Sequence, residues 1–200
     1  MTRFGLLLTA LIYAGWLFGQ SVTLQDWNSE RVQRNQKAMW VLGGWAAANM
    51  VAGAVGMSRT QGEQRAFHQM NLGWNVVNAG LAASGLWRVM HSNPAVLDAW
   101  HSRLEWEKTQ RLFLFNAGLN VGYVMAGMWM REKGQHATTH AERWKGFGKS
   151  LILQGAFLFV FDLGAFLYHQ PLGEKLKPFL KPESTTIGFQ VNGFFLKPNF

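Results

Sequence analysis

The 200-residue chain contains no cysteine, which excludes disulfides, thiolate zinc sites, iron–sulfur clusters and c-type haem attachment. Charge is scarce as well, since Asp, Glu, Lys and Arg make up 15% of the residues, against roughly 25% in soluble domains. The long apolar stretches contain almost none of these charges. The mean hydropathy is only -0.03, because polar loops are averaged with apolar segments. The segregation of charge nevertheless predicts an integral membrane protein in a lipid bilayer.

Motifs of catalysis and nucleotide binding are missing too. No GxSxG, Walker or dinucleotide-binding pattern stands in a fitting context, and no acid–base or nucleophile pair is visible. The net charge is +8, but Lys and Arg flank the apolar segments instead of lining one helix face. This arrangement favours contact with phospholipid headgroups over nucleic acid. The sequence therefore favours a protein that is not an enzyme, with no cofactor and no nucleic-acid partner.

The first twenty residues resemble a targeting segment. Arg3 precedes an apolar run from Phe4 to Gly19, which is short for a spanning helix of about 20 residues. Residues 1–20 are therefore predicted to be a cleaved signal peptide, with a signal-anchor or fifth helix as the alternative. A signal peptide would place residues 21–38, 88–111 and 169–200 outside the cytoplasm, but the distribution of Lys and Arg does not favour that orientation. Orientation and oligomeric state stay open.

Residues 21–170 are predicted to form an all-α membrane bundle of four helices. Its apolar segments alternate with polar turns and are long enough, or nearly so, to cross a bilayer: 39–57, 67–87, 112–130 and 151–168. Asp26 is predicted to cap the first helix, and residues 94–111 are predicted to form an amphipathic lead-in to the third segment. Prolines interrupt residues 171–200, which predicts an extramembrane tail that is irregular or forms a short β-hairpin.

Each predicted span carries polar side chains at mid-depth. Asn71, Asn75 and Asn78 recur at i, i+4 and i+7, which places them on one face of a helix. Lipid cannot satisfy amide groups, so these residues either join helices to one another or line a polar cavity. The GxxxG pattern of Gly118 and Gly122 predicts a close helix contact. The predicted intramembrane polar or ligand-binding network comprises Asn49, Asn71, Asn75, Asn78, Asn116, Asn120, Gln154 and Asp162.

Asp162 is the only acidic residue inside a predicted span. An intramembrane carboxylate is costly and commonly marks a functional site. No Lys or Arg within the spans can neutralise it, so amide side chains or a proton must do so. Asp162 is therefore the predicted centre of a cavity for a small or lipidic ligand. No metal site is predicted; His136 and His140, at i and i+4, are weak candidates because the HExxH pattern is lacking.

Three stretches combine aromatic, amide and glycine residues: Phe67–Asn71 with Trp74, Asn75 and Asn78; Phe115–Gly118 with Asn120–Tyr123; and Lys145–Ser150 with Gln154–Phe157, Phe161 and Asp162. Together they resemble a family of uncharacterised small bacterial integral membrane proteins, described only as a domain of unknown function. The resemblance covers residues 35–170. It implies a multi-pass protein of a bacterial cell membrane, the inner membrane being expected, and it implies no activity.

Two functions remain open from the sequence. The first is a non-catalytic subunit or scaffold of a membrane complex, which would contact a protein partner through residues 94–111 and 183–200. The second is a binder or transporter of a small or lipidic ligand in the Asn-lined cavity centred on Asp162. A membrane enzyme is the least favoured reading, because no catalytic pair is visible.

Overall fold

A computed structural model describes residues 22–180 in full and the backbone of residues 186–190 and 193–197. Residues 1–21 lie outside the described residues, and with them the predicted signal peptide. The main elements are four long helices: α1 (Leu24–Arg59), α2 (Gly62–Met90), α3 (Ala99–His136) and α4 (Ala141–His169). Minor elements are 3₁₀ turns at Pro94–Val96 and Lys177–Leu180, helix α5 (Pro171–Leu176), and antiparallel strands β1 (Thr186–Gln190) and β2 (Gly193–Lys197). The described part of the bundle is all-helical, which confirms that part of the fold prediction.

The helix ends are set by local hydrogen bonds. Thr23, not Asp26, caps α1: the Thr23 hydroxyl accepts from the backbone N–H of Asp26, whose carboxylate accepts from the Thr23 backbone N–H. At α3 the Asp98 carboxylate accepts from the backbone N–H of His101 at 2.8 Å. Hydrogen bonds from the backbone and ring of His101 lower the pKa of the Asp98 carboxyl below its ordinary value. The predicted lead-in is thus not one helix, because a 3₁₀ turn at 94–96 and an extended link precede α3.

The four long helices run alternately up and down, joined by short turns. Helix α4 packs closely against both α2 and α3, and α1 packs against α2. Glycine permits the α3–α4 contact, since a Cβ at Gly155 would lie 2.9 Å from the Asn120 carbonyl oxygen. The predicted GxxxG contact was wrong: a Cβ at Gly118 or Gly122 would meet nothing within 4 Å.

The described helices bury many polar groups beside small apolar clusters and expose many apolar side chains. The predicted amides on α2 are all buried, while exposed positions include Val76, Leu114, Phe115, Met125 and Val160. Three helical segments are long and apolar enough to cross a membrane, namely Leu24–Arg59, Ala99–His136 and Ala141–Leu180. Helix α2 is not among them. The amides of α2 lower its mean hydropathy. The sequence predicted four apolar spans, and three of the four helices are apolar enough to meet that prediction.

Residues after α4 pack against one end of the bundle, here called the Trp27 end (24–35, 88–108 and 169–180). Leu172 and Leu176 are fully buried against Trp27, whose indole Nε1 donates to the Leu172 carbonyl at 2.9 Å. Trp106 on α3 donates from Nε1 to the His169 carbonyl at 3.0 Å. The first part of the predicted tail is therefore an integral part of the bundle.

Candidate functional site

A ring of hydrogen bonds, donated by side chains, joins α1, α2 and α4. Trp45 Nε1 donates to Gln154 Oε1 at 2.9 Å, and Gln154 Nε2 donates to Asn71 Oδ1 at 2.5 Å. Asn71 Nδ2 donates to Asn49 Oδ1 at 3.1 Å, and Asn49 Nδ2 donates to the Trp45 carbonyl at 2.9 Å. The ring therefore closes on itself, and each member both donates and accepts within it.

The other amides of α2 extend this ring along the helix. Asn75 Nδ2 donates to the Asn71 carbonyl at 2.8 Å, and Asn78 Nδ2 donates to Asn75 Oδ1 at 3.3 Å. The structure thus places the three asparagines on one buried face, as their spacing predicts. The chain of amides leads from the ring towards the middle of the bundle.

Asp162, on α4, does not belong to this ring and lies at the contact between α4 and α3. Asn120 Nδ2 donates to Asp162 Oδ2 at 2.7 Å, in a buried contact. The second carboxylate oxygen has no hydrogen-bond partner among the described residues. Asp162 therefore retains acceptor capacity, and it lines the cavities described next.

Two adjoining cavities meet at Asp162. The deep cavity, of about 210 Å³, is lined by Trp74, Asn78, Asn116, Asn120, Tyr123 and Asp162, among others. The middle cavity, of about 350 Å³, shares Leu42, Leu81, Asn116, Phe161 and Asp162 with it and continues towards Arg88. All four long helices contribute to the walls. Val77 and Leu81, which line the deep cavity, are 60% and 57% exposed, so the cavity opens to the surface of the bundle.

A third cavity, the mouth cavity of about 330 Å³, lies at the Trp27 end. It shares Asn35, Arg88, Val89, Thr109 and Leu112 with the middle cavity, so the three form one cleft. Three cations line the mouth, Arg31 from α1, Arg88 from α2 and Lys108 from α3, together with one acid, Glu105. From Arg88 to Asn78 the rise along α2 corresponds to a depth of about 15 Å.

Seven of the eight predicted network residues take part in these hydrogen bonds. The exception is Asn116, which lines the cleft without a hydrogen bond to another described residue. Sequence reasoning missed Trp45 and the convergence of Arg31, Arg88 and Lys108. Trp45 lies one helical turn before Asn49, and this spacing could have predicted that its indole belongs to the network. The three cations lie in separate segments of the sequence, so no local pattern predicts that they meet.

The two weak histidine candidates do not lie one helical turn apart. Helix α3 ends at His136, and His140 adopts a left-handed conformation before α4, so the residues between them are not helical. His136 Nε2 instead lies 3.0 Å from Glu132 Oε1. Within the described residues, no three metal-ligating side chains come together.

Residues 41–163 match the model of a family of unknown function, DUF6992. The chain belongs to this family. The DUF6992 match covers the second half of α1, all of α2 and α3, and α4 as far as Leu163, so every member of the hydrogen-bonded ring lies within it. Among curated proteins and solved structures, none matches the chain. Arg31 lies outside the matched residues, whereas Arg88 and Lys108 lie within them.

Proposed function

We propose that the chain is a four-helix integral membrane protein that binds a lipidic amphiphile in the cleft centred on Asp162. The single observation that carries this proposal is the continuity of the three cavities, from polar groups at depth to cations at the mouth. The apolar and charged parts of an amphiphile match the order of these lining residues. Its apolar part would contact Leu42, Leu81 and Phe161, and its headgroup would lie at the mouth.

The polarity of the exposed surface supports the bilayer part of this proposal. Apolar side chains cover the outside of the helices, whereas amides fill positions that a soluble bundle would give to apolar groups. In a bilayer this distribution is favourable, because each amide finds a partner inside and each apolar group contacts lipid. Helix α2, although less apolar, is then stabilised across the membrane by its amide contacts with α1 and α4. A bacterial inner membrane is the location we propose.

The open wall of the cleft suggests how a ligand enters. Val77 and Leu81 on α2 and Leu119 on α3 are exposed where they line the deep cavity, so an amphiphile can enter sideways from the lipid. Asp162 and Asn116 then offer hydrogen-bond acceptors to a donor in the buried part of the ligand, such as a hydroxyl group. Cavities of this size accommodate part of such a molecule, and the rest would stay in the bilayer.

The test is to narrow the cleft without changing the bundle. Asn116→Phe adds a ring where the deep and middle cavities meet, and it removes no hydrogen bond to another described residue. Leu114→Phe places the same ring on the same helix at an exposed position outside these cavities. The protein is purified in a mild detergent, and bound lipid is measured by native mass spectrometry.

We expect the parent protein and Leu114→Phe to retain a bound amphiphile and Asn116→Phe to lose most of it. Equal retention by the two variants would show that the cleft is not the binding site. A parent protein that carries no amphiphile in any mild detergent would contradict the proposal itself.

A scaffold role is the second candidate. It is favoured by Val96 and Trp100, which are 72% and 58% exposed at the Trp27 end, beside a segment that is not one regular helix. A protein partner could cover these side chains. Replacing both by Ser should release such a partner from the purified complex, and unchanged co-purification would argue against this role.

A further inference from the structure

The mouth cavity brings together three positive charges that belong to three different helices. Arg31 lies on α1, Arg88 near the end of α2 and Lys108 on α3, and Glu105 is the one acid among the lining residues. Lys108 Nζ lies 3.8 Å from a Glu105 carboxylate oxygen, so one of the three charges is partly balanced. The lining keeps an excess of positive charge in a concave site, which concentrates anions.

Arg31 distinguishes this cavity from an ordinary basic surface. Its side chain is only 6% exposed, and its Nε is buried without a hydrogen-bond partner in the described part of the chain. A buried guanidinium with an unused donor is unfavourable unless a further group satisfies it. Because Arg31 lines the cavity, its terminal nitrogens, which are not buried in this way and make no hydrogen bond to a described residue, can donate to a ligand placed there. Guanidinium groups bind phosphate oxygens especially well, since two N–H groups match two oxygens.

The position of the cavity along the helices favours a membrane-bound anion. Arg88 directly follows the apolar stretch that ends at Trp87, and Lys108 precedes Leu112, the first residue of the next apolar stretch, by one turn, about 6 Å. These cations therefore lie at the level of lipid headgroups if the apolar stretches lie in the hydrocarbon. The cavity also continues through Val89 and Leu112 into the middle cavity, where Leu42, Leu81 and Phe161 offer apolar contacts to acyl chains.

We infer that the mouth cavity is a phosphate site which selects an anionic phospholipid, with Arg31 as its buried contact and Arg88 and Lys108 as its exposed contacts. This inference rests on the proposed function, because the headgroup is held there while the chains occupy the cleft. The same chemistry would recognise free phosphate, so the experiment includes both sources.

The experiment compares two lipids that differ only in headgroup charge. Delipidated protein is incubated with an equimolar mixture of dioleoyl phosphatidylglycerol and dioleoyl phosphatidylcholine in detergent, and bound lipid is counted by native mass spectrometry. The acyl chains of the two lipids are identical. Their contacts in the deep cavity therefore do not affect the ratio of bound anionic lipid to bound phosphatidylcholine. We expect the parent protein to bind the anionic lipid about 5-fold or more in excess, as two unbalanced cations allow.

Arg88→Gln/Lys108→Gln removes two exposed cations from the mouth and should bring the ratio close to one. Arg103→Gln/Lys133→Gln removes two exposed cations outside the mouth and should leave the ratio unchanged. Arg31→Lys keeps the charge but lacks the paired N–H groups of a guanidinium, and it should lower the ratio while the protein stays folded. Stabilisation by inorganic phosphate equal to that by the anionic lipid, measured by thermal unfolding, would overturn the lipid assignment.

Two further outcomes separate this inference from the proposed function. Equal binding of the two lipids, lost in Asn116→Phe, would overturn the phosphate site and leave the lipid-binding cleft in place. Binding of neither lipid would contradict the cleft and the phosphate site together. An unchanged ratio in Arg88→Gln/Lys108→Gln would also overturn the phosphate site, since the selectivity would then arise elsewhere.

Discussion

Gln154 on α4 donates a hydrogen bond at 2.5 Å to Asn71 on α2, and both side chains are buried. This contact fixes the axial register of two helices, because a shift by one turn would leave Gln154 Nε2 and Asn71 Oδ1 without each other. The penalty for such a shift is larger in a site without water, where an unpaired polar group has no alternative partner. The register in turn places Asn78 of α2 beside the cleft that reaches Asp162.

Gln154→Leu should destabilise the bundle by about 1–3 kcal/mol, because it leaves Trp45 Nε1 and Asn71 Oδ1 without their partners. Denaturant-induced unfolding in detergent micelles, followed by circular dichroism, measures this change. Asn116→Leu is the matched control, since Asn116 has no hydrogen bond to another described residue. If the two variants lost the same stability, the ring would not be the source of the effect.

Gly155→Ala and Gly118→Ala should have effects of opposite sign. A Cβ at Gly155 would lie 2.9 Å from both the Asn120 carbonyl oxygen and Val124 Cγ2, so it should push α3 away from α4 at a cost of about 1–3 kcal/mol. At Gly118 the added methyl group meets nothing, and the higher helix propensity of Ala should stabilise by up to about 1 kcal/mol. Thermal unfolding of both variants in the same detergent tests the pair, and a loss at Gly118 would point to a contact outside this chain.

The amides of α2 could be predicted from sequence, but their partners could not. The spacing of Asn71, Asn75 and Asn78 determines their common face, because the period of a helix is fixed. Which amide meets Gln154 depends on the relative shift of two helices, and no local pattern encodes that shift. For the same reason, the spacing of Gly118 and Gly122 predicted a close helix contact that the structure instead shows at Gly155.

The Trp27 end shows a second limit of sequence reasoning. The prolines predict that the last helix stops, but Gln170 keeps a right-handed helical conformation and Pro171 is a favourable first residue for α5. The packing of Leu172 against Trp27 joins residues 145 positions apart, a contact that depends on the complete fold. The convergence of Arg31, Arg88 and Lys108 also depends on the complete fold. From the sequence, each of these residues could be interpreted only separately, as a contact with lipid headgroups.

Trp27→Phe should loosen the chain after α4. The substitution retains most of the apolar contact but removes the indole donor to the Leu172 carbonyl, at a cost of about 1 kcal/mol. Limited proteolysis should therefore cut residues 171–180 several-fold faster than in the parent protein. Trp100→Phe, at a position that is 58% exposed, is the control and should leave the rate unchanged. Equal rates in Trp27→Phe and the parent would mean that burial of Leu172 and Leu176 alone holds this segment.

Two substitutions at Asp162 should separate structure from ligand binding. Asn at this position can still accept from Asn120 Nδ2 through its carbonyl oxygen, whereas Leu cannot. Asp162→Asn is therefore expected to keep the stability of the parent within about 0.5 kcal/mol, and Asp162→Leu to lose about 1–3 kcal/mol. If the carboxylate also accepts from a ligand, Asp162→Asn should in addition retain less co-purified amphiphile, measured by the same mass spectrometry as Asn116→Phe. Loss of stability without any change in retention would assign Asp162 to helix packing alone, because a side chain that only joins α3 to α4 has no reason to affect what the cleft holds.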